Sequence, residues 1–146
     1  MTITSTSFQK KEPIPDEHSY KGENINPPLT FSQVPREAKS LFLIVEDPDA
    51  PGGIFTHWIL YKISPATLQI PQAGLPRGAK VATNDYGEQK YNGPAPPSGT
   101  HRYYFKLYAL DIRLNDMRPT DTREKFISAI EGHIIDEASL MGKFSA

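Results

Sequence analysis

The chain has 146 residues and a formal net charge of −1, so it suits one domain spanning residues 1–146 and offers nucleic acid no global charge to bind. It contains no cysteine, which excludes disulfides, thiolate catalysis and cysteine-ligated zinc. No apolar stretch approaches the ~20 residues of a membrane-spanning helix, and the first residues lack the basic start and apolar core of a signal peptide, so we expect a cytoplasmic protein without a transmembrane segment.

Strands dominate the predicted elements. Fourteen prolines and ten glycines indicate many fixed turns, which favour short strands over long helices. Apolar, β-branched and aromatic runs predict strands at residues 3–7, 29–31, 40–46, 57–63, 79–83 and 102–112. The last run carries bulky side chains at both odd and even positions, which is typical of a strand packed between two layers.

Only the C-terminal part has a helical pattern. Asp121 is the predicted N-cap, with Glu124 three residues later as in a capping box. Four apolar residues then follow at helical spacing and mark one face: Phe126, Ile127, Ile130 and Ile134. We expect this helix to dock on the sheet.

Three distant fragments each place a titratable group beside or within a few residues of proline or glycine, where the backbone is fixed. They are residues 47–51 (DPDAP), 57–58 (HW) and 93–103 (GPAPPSGTHRY). His57 and His101 lie at the starts of predicted strands, and Asp47 lies at the end of one. The intervening segment 64–101 is mostly loop, and a loop of that length is usually functional. Together these features predict a rigid pocket for a small polar ligand.

The residue types in these fragments suit an anion. Imidazoles with a pKa near ~6.5 donate N–H groups to an anion and become cationic when it arrives. A carboxylate such as Asp47 fixes the tautomer of a neighbouring imidazole, and turn N–H groups beside Ala95 and Gly99 supply further donors. His18 and His133 carry no motif and are predicted to lie at the surface, and Arg102 is predicted to be solvated.

In combination and order, these motifs resemble the phosphatidylethanolamine-binding protein (PEBP) family, and most closely its prokaryotic, Raf-kinase-inhibitor-like branch. Residues 24–31 (NINPPLTF) are similar to the N-terminal signature of that branch. The resemblance runs from about residue 20 to residue 111 and extends to the C-terminal helix.

This resemblance implies a mainly β, PEBP-like fold, in which a large antiparallel sheet packs on a smaller sheet with peripheral helices, one of them near the C-terminus. It also implies a non-enzymatic binding protein without a cofactor, with a shallow pocket for phosphate or a phosphoryl headgroup. The site residues that it carries over are Asp47, Pro51, His57, Ala95, Pro96, Pro97, His101 and Tyr103. His57 and His101 are expected to donate to the anion, Asp47 to orient one imidazole, and Tyr103 to line the pocket or donate its hydroxyl. A cis bond at Ala50-Pro51 is a further expectation.

Three other functions stay open at this point. One is a protein-interaction module that inhibits a kinase or protease and holds a phosphorylated or acidic side chain. Another is a serine hydrolase using Asp47, His57 and Ser98, although Ser98 lacks a Gly-x-Ser-x-Gly elbow. The third is a metal-dependent enzyme using Asp47, His57 and His101. The expected partners are a small anionic ligand, a phosphoprotein, a kinase or a protease, and apolar strand edges leave room for a homodimer.

Overall fold

The computed structural model describes every residue from Met1 to Ala146, and it confirms a mainly β fold. The strands are β1 (Thr2–Thr4), β2 (Leu29–Ser32), β3 (Ser40–Asp47), β4 (Phe55–Ile63), β5 (Gln69–Ile70), β6 (Lys80–Val81), β7 (Thr100–Leu110) and β8 (Ile134–Ser145). The α-helix is α1 (Arg123–Ile130), and a 3-10 turn spans Asp16–His18. No helix has the length and hydrophobicity needed to cross a bilayer.

Two antiparallel sheets form the layers. The larger sheet has the order β6-β4-β3-β7-β8 and the smaller one β1-β2-β5. Strand β3 is buried at every position because it lies between β4 and β7 and is covered on both faces. The main core contains Leu43, Trp58 and Phe105 from the large sheet and Ile3 and Phe31 from the small one. The expected packing of a large sheet on a smaller sheet is therefore confirmed.

The opposite face of the large sheet carries α1. Phe126 and Ile130 of the helix are fully buried in a second apolar cluster that includes Phe42 and Tyr61. The helix therefore docks on the sheet as expected. Its N-cap, however, is Thr122 rather than Asp121, because the Thr122 hydroxyl accepts the N–H of Lys125.

The expected helical face does not extend to Ile134. The helix ends at Ile130, and Ile134 begins the 12-residue strand β8, which the sequence pattern did not predict. Strand β8 pairs with β7 along most of its length, so its structure is set by a tertiary partner rather than by local periodicity. It is an edge strand with Ile134 and Ile135 exposed, and the homodimer expected from such edges stays a prediction.

The turn after β3 contains no cis peptide bond, so the expectation for Ala50-Pro51 is wrong. A trans bond suffices because Gly53 donates its N–H to the carbonyl of Ala50 (3.1 Å) and adopts a φ of 111°, which suits glycine. The turn links β3 to β4 and so helps to place Asp47 near His57.

Candidate anion-binding site

The end of β3 and the start of β7 bring Asp47 and His101 together. Nδ1 of His101 donates to Oδ2 of Asp47 at 2.6 Å, and both side chains are almost fully buried. The other carboxylate oxygen of Asp47 accepts the N–H of Asp49 at 2.7 Å, which also makes Asp47 the first residue of an Asx turn. Because Nδ1 of His101 is committed to Asp47, Nε2 is the ring nitrogen left for a ligand.

His57 is held in a different way. Its Nδ1 donates to the backbone carbonyl of Asn92 at 2.8 Å, which fixes the tautomer and leaves Nε2 without a protein hydrogen bond. Burial lowers the pKa of His57, while the Asn92 carbonyl and the charges of Asp47 and Asp85 act in the opposite direction. The free ring is therefore neutral near pH 7 and presents a lone pair at Nε2.

The ring of Tyr103 lies close to the imidazole rings of both histidines. Its ring centroid lies 5.3 Å from that of His57 and 6.4 Å from that of His101. The Tyr103 hydroxyl is buried and has no hydrogen-bond partner, which is rare for a buried polar group. Burial, and then the nearby charge of Asp47, raises the pKa of Tyr103, although no well-formed hydrogen bond joins the two side chains. The site thus combines two free imidazole nitrogens with one orphaned hydroxyl.

The remaining residues expected in the site lie on two turns. Ala95 is half-buried and Pro96 is buried, whereas Pro97 and Pro51 are exposed. Their role in binding stays a prediction. The contacts described above gather Asp47, His57, His101 and Tyr103, and no such contact joins Pro51, Pro96 or Pro97 to them.

Asn24, from the N-terminal motif, supports His57 through Asn92, which lies 68 residues further along the chain. Its amide nitrogen donates to Oδ1 of Asn92 (2.8 Å), and its Oδ1 accepts the N–H of Gly93 (2.7 Å). Asn24 has a φ of 59°, a left-handed conformation that asparagine tolerates better than most residues. These bonds fix the segment whose carbonyl orients His57. The sequence analysis noted the motif but not this role.

Asn84 supports His57 from the other side, and the sequence analysis missed it too. Its amide nitrogen donates to the carbonyls of His57 (3.2 Å) and Lys90 (2.8 Å), and its Oδ1 accepts the N–H groups of Tyr86 and Glu88. The signal available in the sequence was an asparagine directly before Asp85-Tyr86-Gly87, a pattern typical of a turn.

Tyr86 is an additional aromatic neighbour of the site. Its ring lies 5.9 Å from His57 and stacks in parallel on Tyr20 at 4.6 Å. Burial, followed by Tyr20 and Asp47, raises the pKa of Tyr86 to about 12. No sequence motif marked Tyr86, because its contacts depend on the fold.

The turn that carries Asp47 is tied to β7 by an ion pair. Asp49 accepts three hydrogen bonds from Arg102, one from the backbone N–H and two from the guanidinium, at 2.7–2.9 Å. The Arg102 hydrogen bonds hold the pKa of Asp49 at about 2. Arg102 is therefore paired rather than simply solvated, because β7 starts beside this turn.

The two other histidines behave differently from each other. His18 is completely buried, and its Nδ1 donates to the carbonyl of Ile25 at 2.9 Å, so the prediction that it lies at the surface is wrong. It is enclosed because the 3-10 turn packs against the loop that follows Tyr91, whose hydroxyl donates to the His18 carbonyl. His133 is partly exposed and pairs with Asp111, which agrees with the surface position predicted for it.

The geometry does not assemble either of the two specific enzyme arrangements that the sequence left open. Asp47 contacts His101 rather than His57, so the order Asp47, His57, Ser98 does not form a relay. No group of three His, Asp or Glu side chains is placed to hold a metal ion. What the site offers chemically is hydrogen bonding to a small ligand.

Comparison with known proteins agrees with this fold. The family model for phosphatidylethanolamine-binding protein matches residues 4–145. A UPF0098 protein of Methanothermobacter thermautotrophicus is 45% identical over 149 aligned residues, covering 99% of this chain and 98% of the relative. The crystal structure of the PEBP homologue CT736 from Chlamydia trachomatis superposes with a TM-score of 0.93 at 45% identity, covering 99% and 97% of the two chains. E. coli YbcL, described as a member of the mammalian PEBP family, gives 0.93 at 28% identity, covering 99% and 98%.

Proposed function

The chain belongs to the phosphatidylethanolamine-binding protein family, and on that premise we propose that it is a non-enzymatic binding protein whose pocket at His57 and His101 takes phosphate or a phosphoryl group. The observation that carries this proposal is the orphaned Tyr103 hydroxyl beside two imidazoles whose Nε2 atoms are free. Three hydrogen-bonding groups without partners, all held by rigid strands, indicate a site that a ligand completes.

The two histidines have different tasks in this proposal. Because Nδ1 of His101 already donates to Asp47, Nε2 donates to one oxygen of the anion only in the imidazolium form, whose positive charge the Asp47 carboxylate and the anion both balance. His57 is neutral near pH 7 and accepts at Nε2 the hydrogen of a protonated ligand oxygen. A phosphoryl group supplies that hydrogen in its monoanionic form, which is the minor form at pH 7 because the second ionisation lies near pH ~6. The site therefore favours phosphate over sulfate, which has no hydrogen to donate at neutral pH.

Tyr103 completes the pocket by donating its hydroxyl to a second ligand oxygen. Its raised pKa keeps the hydroxyl protonated at every physiological pH, so it is always a donor. Each charge-assisted hydrogen bond stabilises the complex by about 1.5–3 kcal/mol before the anion's desolvation is subtracted. Net affinity for bare phosphate is therefore expected to be weak.

The test is an NMR titration of the histidine ring signals with phosphate in the wild type and in His57→Ala and His101→Ala. We expect saturable shifts confined to the two site rings, and a 10- to 150-fold loss of affinity in each variant, which corresponds to about 1.5–3 kcal/mol. His133→Ala is the matched control, because His133 pairs with Asp111 outside the pocket. A His101→Ala variant that binds phosphate as tightly as the wild type would refute the proposal.

The pH dependence of anion affinity provides a second test, which addresses the role of His57. His57 must take up a proton from solvent for sulfate to bind, so sulfate binding raises the pKa of His57 from its lowered value in the free protein. Sulfate affinity should then rise as pH falls through the pKa of the complex and level off below that of the free protein. Phosphate carries the shared hydrogen itself below its second ionisation near pH ~6, so its affinity should fall as pH rises through that value rather than through the pKa of His57. Equal pH profiles for the two anions would contradict the role assigned to His57.

A further inference from the structure

A cleft of about 680 Å³ runs along the loop that borders the pocket. It is lined by residues 94–97 of the loop, by Phe144 of β8, and by Asp16, Ser19, Lys21 and Gly22 of the N-terminal segment. Its volume lies within the range of pockets that hold small organic molecules. Neither of the two site histidines lines it, so it is a separate space from the pocket described above.

The cleft and the pocket share a wall. Phe144 is the register partner of His101 in the β7–β8 pair, so the two side chains lie next to each other on one face of the sheet. Ala95 lines the cleft, and its backbone lies close enough to the Tyr103 hydroxyl to influence the pKa of that group. A ligand whose phosphoryl group sits between His57 and His101 would therefore have its organic part at the mouth of the cleft.

The lining indicates what that organic part is. Three prolines and the Phe144 ring offer flat apolar surfaces, which pack well against an aromatic ring. The charged side chains in the lining are Lys21 and Asp16, which are exposed and opposite in sign, so the side chains give the cleft no net charge. We propose that this cleft binds the organic group of a phosphomonoester and that it selects a planar apolar ring over a charged alkyl group. This inference rests on the proposed function.

The experiment compares three ligands that share the phosphoryl group: inorganic phosphate, phosphoethanolamine and phenyl phosphate. We expect the wild type to bind phenyl phosphate about tenfold more tightly than either of the others. Phe144→Leu should bring the ratio of phenyl phosphate affinity to phosphate affinity close to one, because it keeps the apolar volume but removes the ring. Leu68→Ala is the control, since Leu68 is an exposed apolar side chain outside the cleft.

Backbone amide shifts give a readout that does not depend on a variant. Phenyl phosphate should shift the amide signals of Gly22 and Phe144, whereas inorganic phosphate should leave them in place. If phosphate binds but the three ligands have equal affinities, or if those amides do not move with phenyl phosphate, this inference is wrong and the phosphoryl pocket stands. If no ligand shifts the ring signals of His57 and His101, the pocket fails and the inference fails with it.

Discussion

The two sides of the candidate site are built by different physics. On one side, His57 is oriented by a backbone carbonyl, and the segment around that carbonyl is fixed by neutral amides from Asn24 and Asn84. On the other side, His101 is oriented by the carboxylate of Asp47, and the adjoining turn is fixed by the Asp49–Arg102 ion pair. One half of the pocket therefore depends on close packing of neutral groups and the other half on charge.

This difference determines how each side responds to change. Neutral hydrogen bonds between closely packed segments are insensitive to salt but intolerant of added volume. Ion pairs near the surface tolerate changes of shape, but they are weakened by salt and by acid. Substitutions in the segments around His57 should therefore affect folding most, and substitutions in the Asp49–Arg102 pair should show their effect mainly through pH.

Gly93→Ala should have the largest effect. A Cβ atom at position 93 would lie 1.8 Å from the carbonyl oxygen of His18, a backbone atom that has no room to move aside. We expect a loss of about 3 kcal/mol or more in the free energy of unfolding, measured by urea denaturation. Gly52→Ala is the matched control, since nothing lies within 4 Å of its added Cβ and its φ is not in the left-handed region. A midpoint for Gly93→Ala close to that of Gly52→Ala would show that the two segments do not pack as described.

Asn24→Gly should have the next largest effect, and it isolates the side chain because glycine tolerates the left-handed φ. Loss of the bonds to Asn92 and Gly93 should lower the free energy of unfolding by about 2 kcal/mol, at about 1 kcal/mol each. The His57 pKa should fall further, because the Asn92 carbonyl that raises it is no longer fixed. NMR titration of the His57 ring measures that shift.

Asn26→Ala is the control for Asn24→Gly, because it should lower stability without changing the orientation of His57. The amide of Asn26 is buried and donates to the carbonyls of Pro27 and Pro71, away from the segment that orients His57. This variant should be destabilised while the His57 titration stays unchanged. If Asn24→Gly also left the titration unchanged, its bonds would have no influence on the histidine.

The central strands were predictable because their signal is local. Strand β3 is an unbroken apolar run, and burial on both faces requires such a run. Strand β8 was not predictable, because its outward-facing residues are mixed in polarity and its inner face includes Gly142, which leaves room for Phe8 and Ile14. The spacing of Ile130 and Ile134 matched a helix by coincidence, and only pairing with β7 decides the outcome.

The candidate site, like the fold, has features that the sequence predicted and features that it did not. Proline and glycine near Asp47 and His101 marked these two residues, which lie at strand ends, whereas His57 was marked by the strand pattern that it begins in the sequence. The sequence does not say which histidine contacts Asp47, since β3 lies between β4 and β7 and each neighbour contributes one histidine. Likewise, no local signal links Asn24 to Asn92, because that contact exists only after the sheets have packed.

Arg102→Ala should have the smallest effect and should appear mainly in the pH dependence. Arg102 is exposed and Asp49 is half-buried, so solvent screens the pair and we expect only a small loss of stability at pH 7. The pKa of Asp49 is lowered to about 2 in the folded protein, against ~3.9 for an unperturbed aspartate. Its stabilising contribution is therefore present above pH ~3.9 and is lost as pH falls towards 2.

The variant should consequently be less stable than the wild type at pH 7 and equal to it near pH 2, and the difference should shrink at high salt. Urea denaturation at these two pH values, with and without added salt, measures the difference in stability under each condition. Lys125→Ala is a suitable control, because it removes another exposed ion pair, with Asp121, on the helix side of the sheet. A deficit for Arg102→Ala that persisted undiminished at pH 2 would mean that the side chain acts through packing rather than charge, and the contrast between the two sides of the pocket would then be lost.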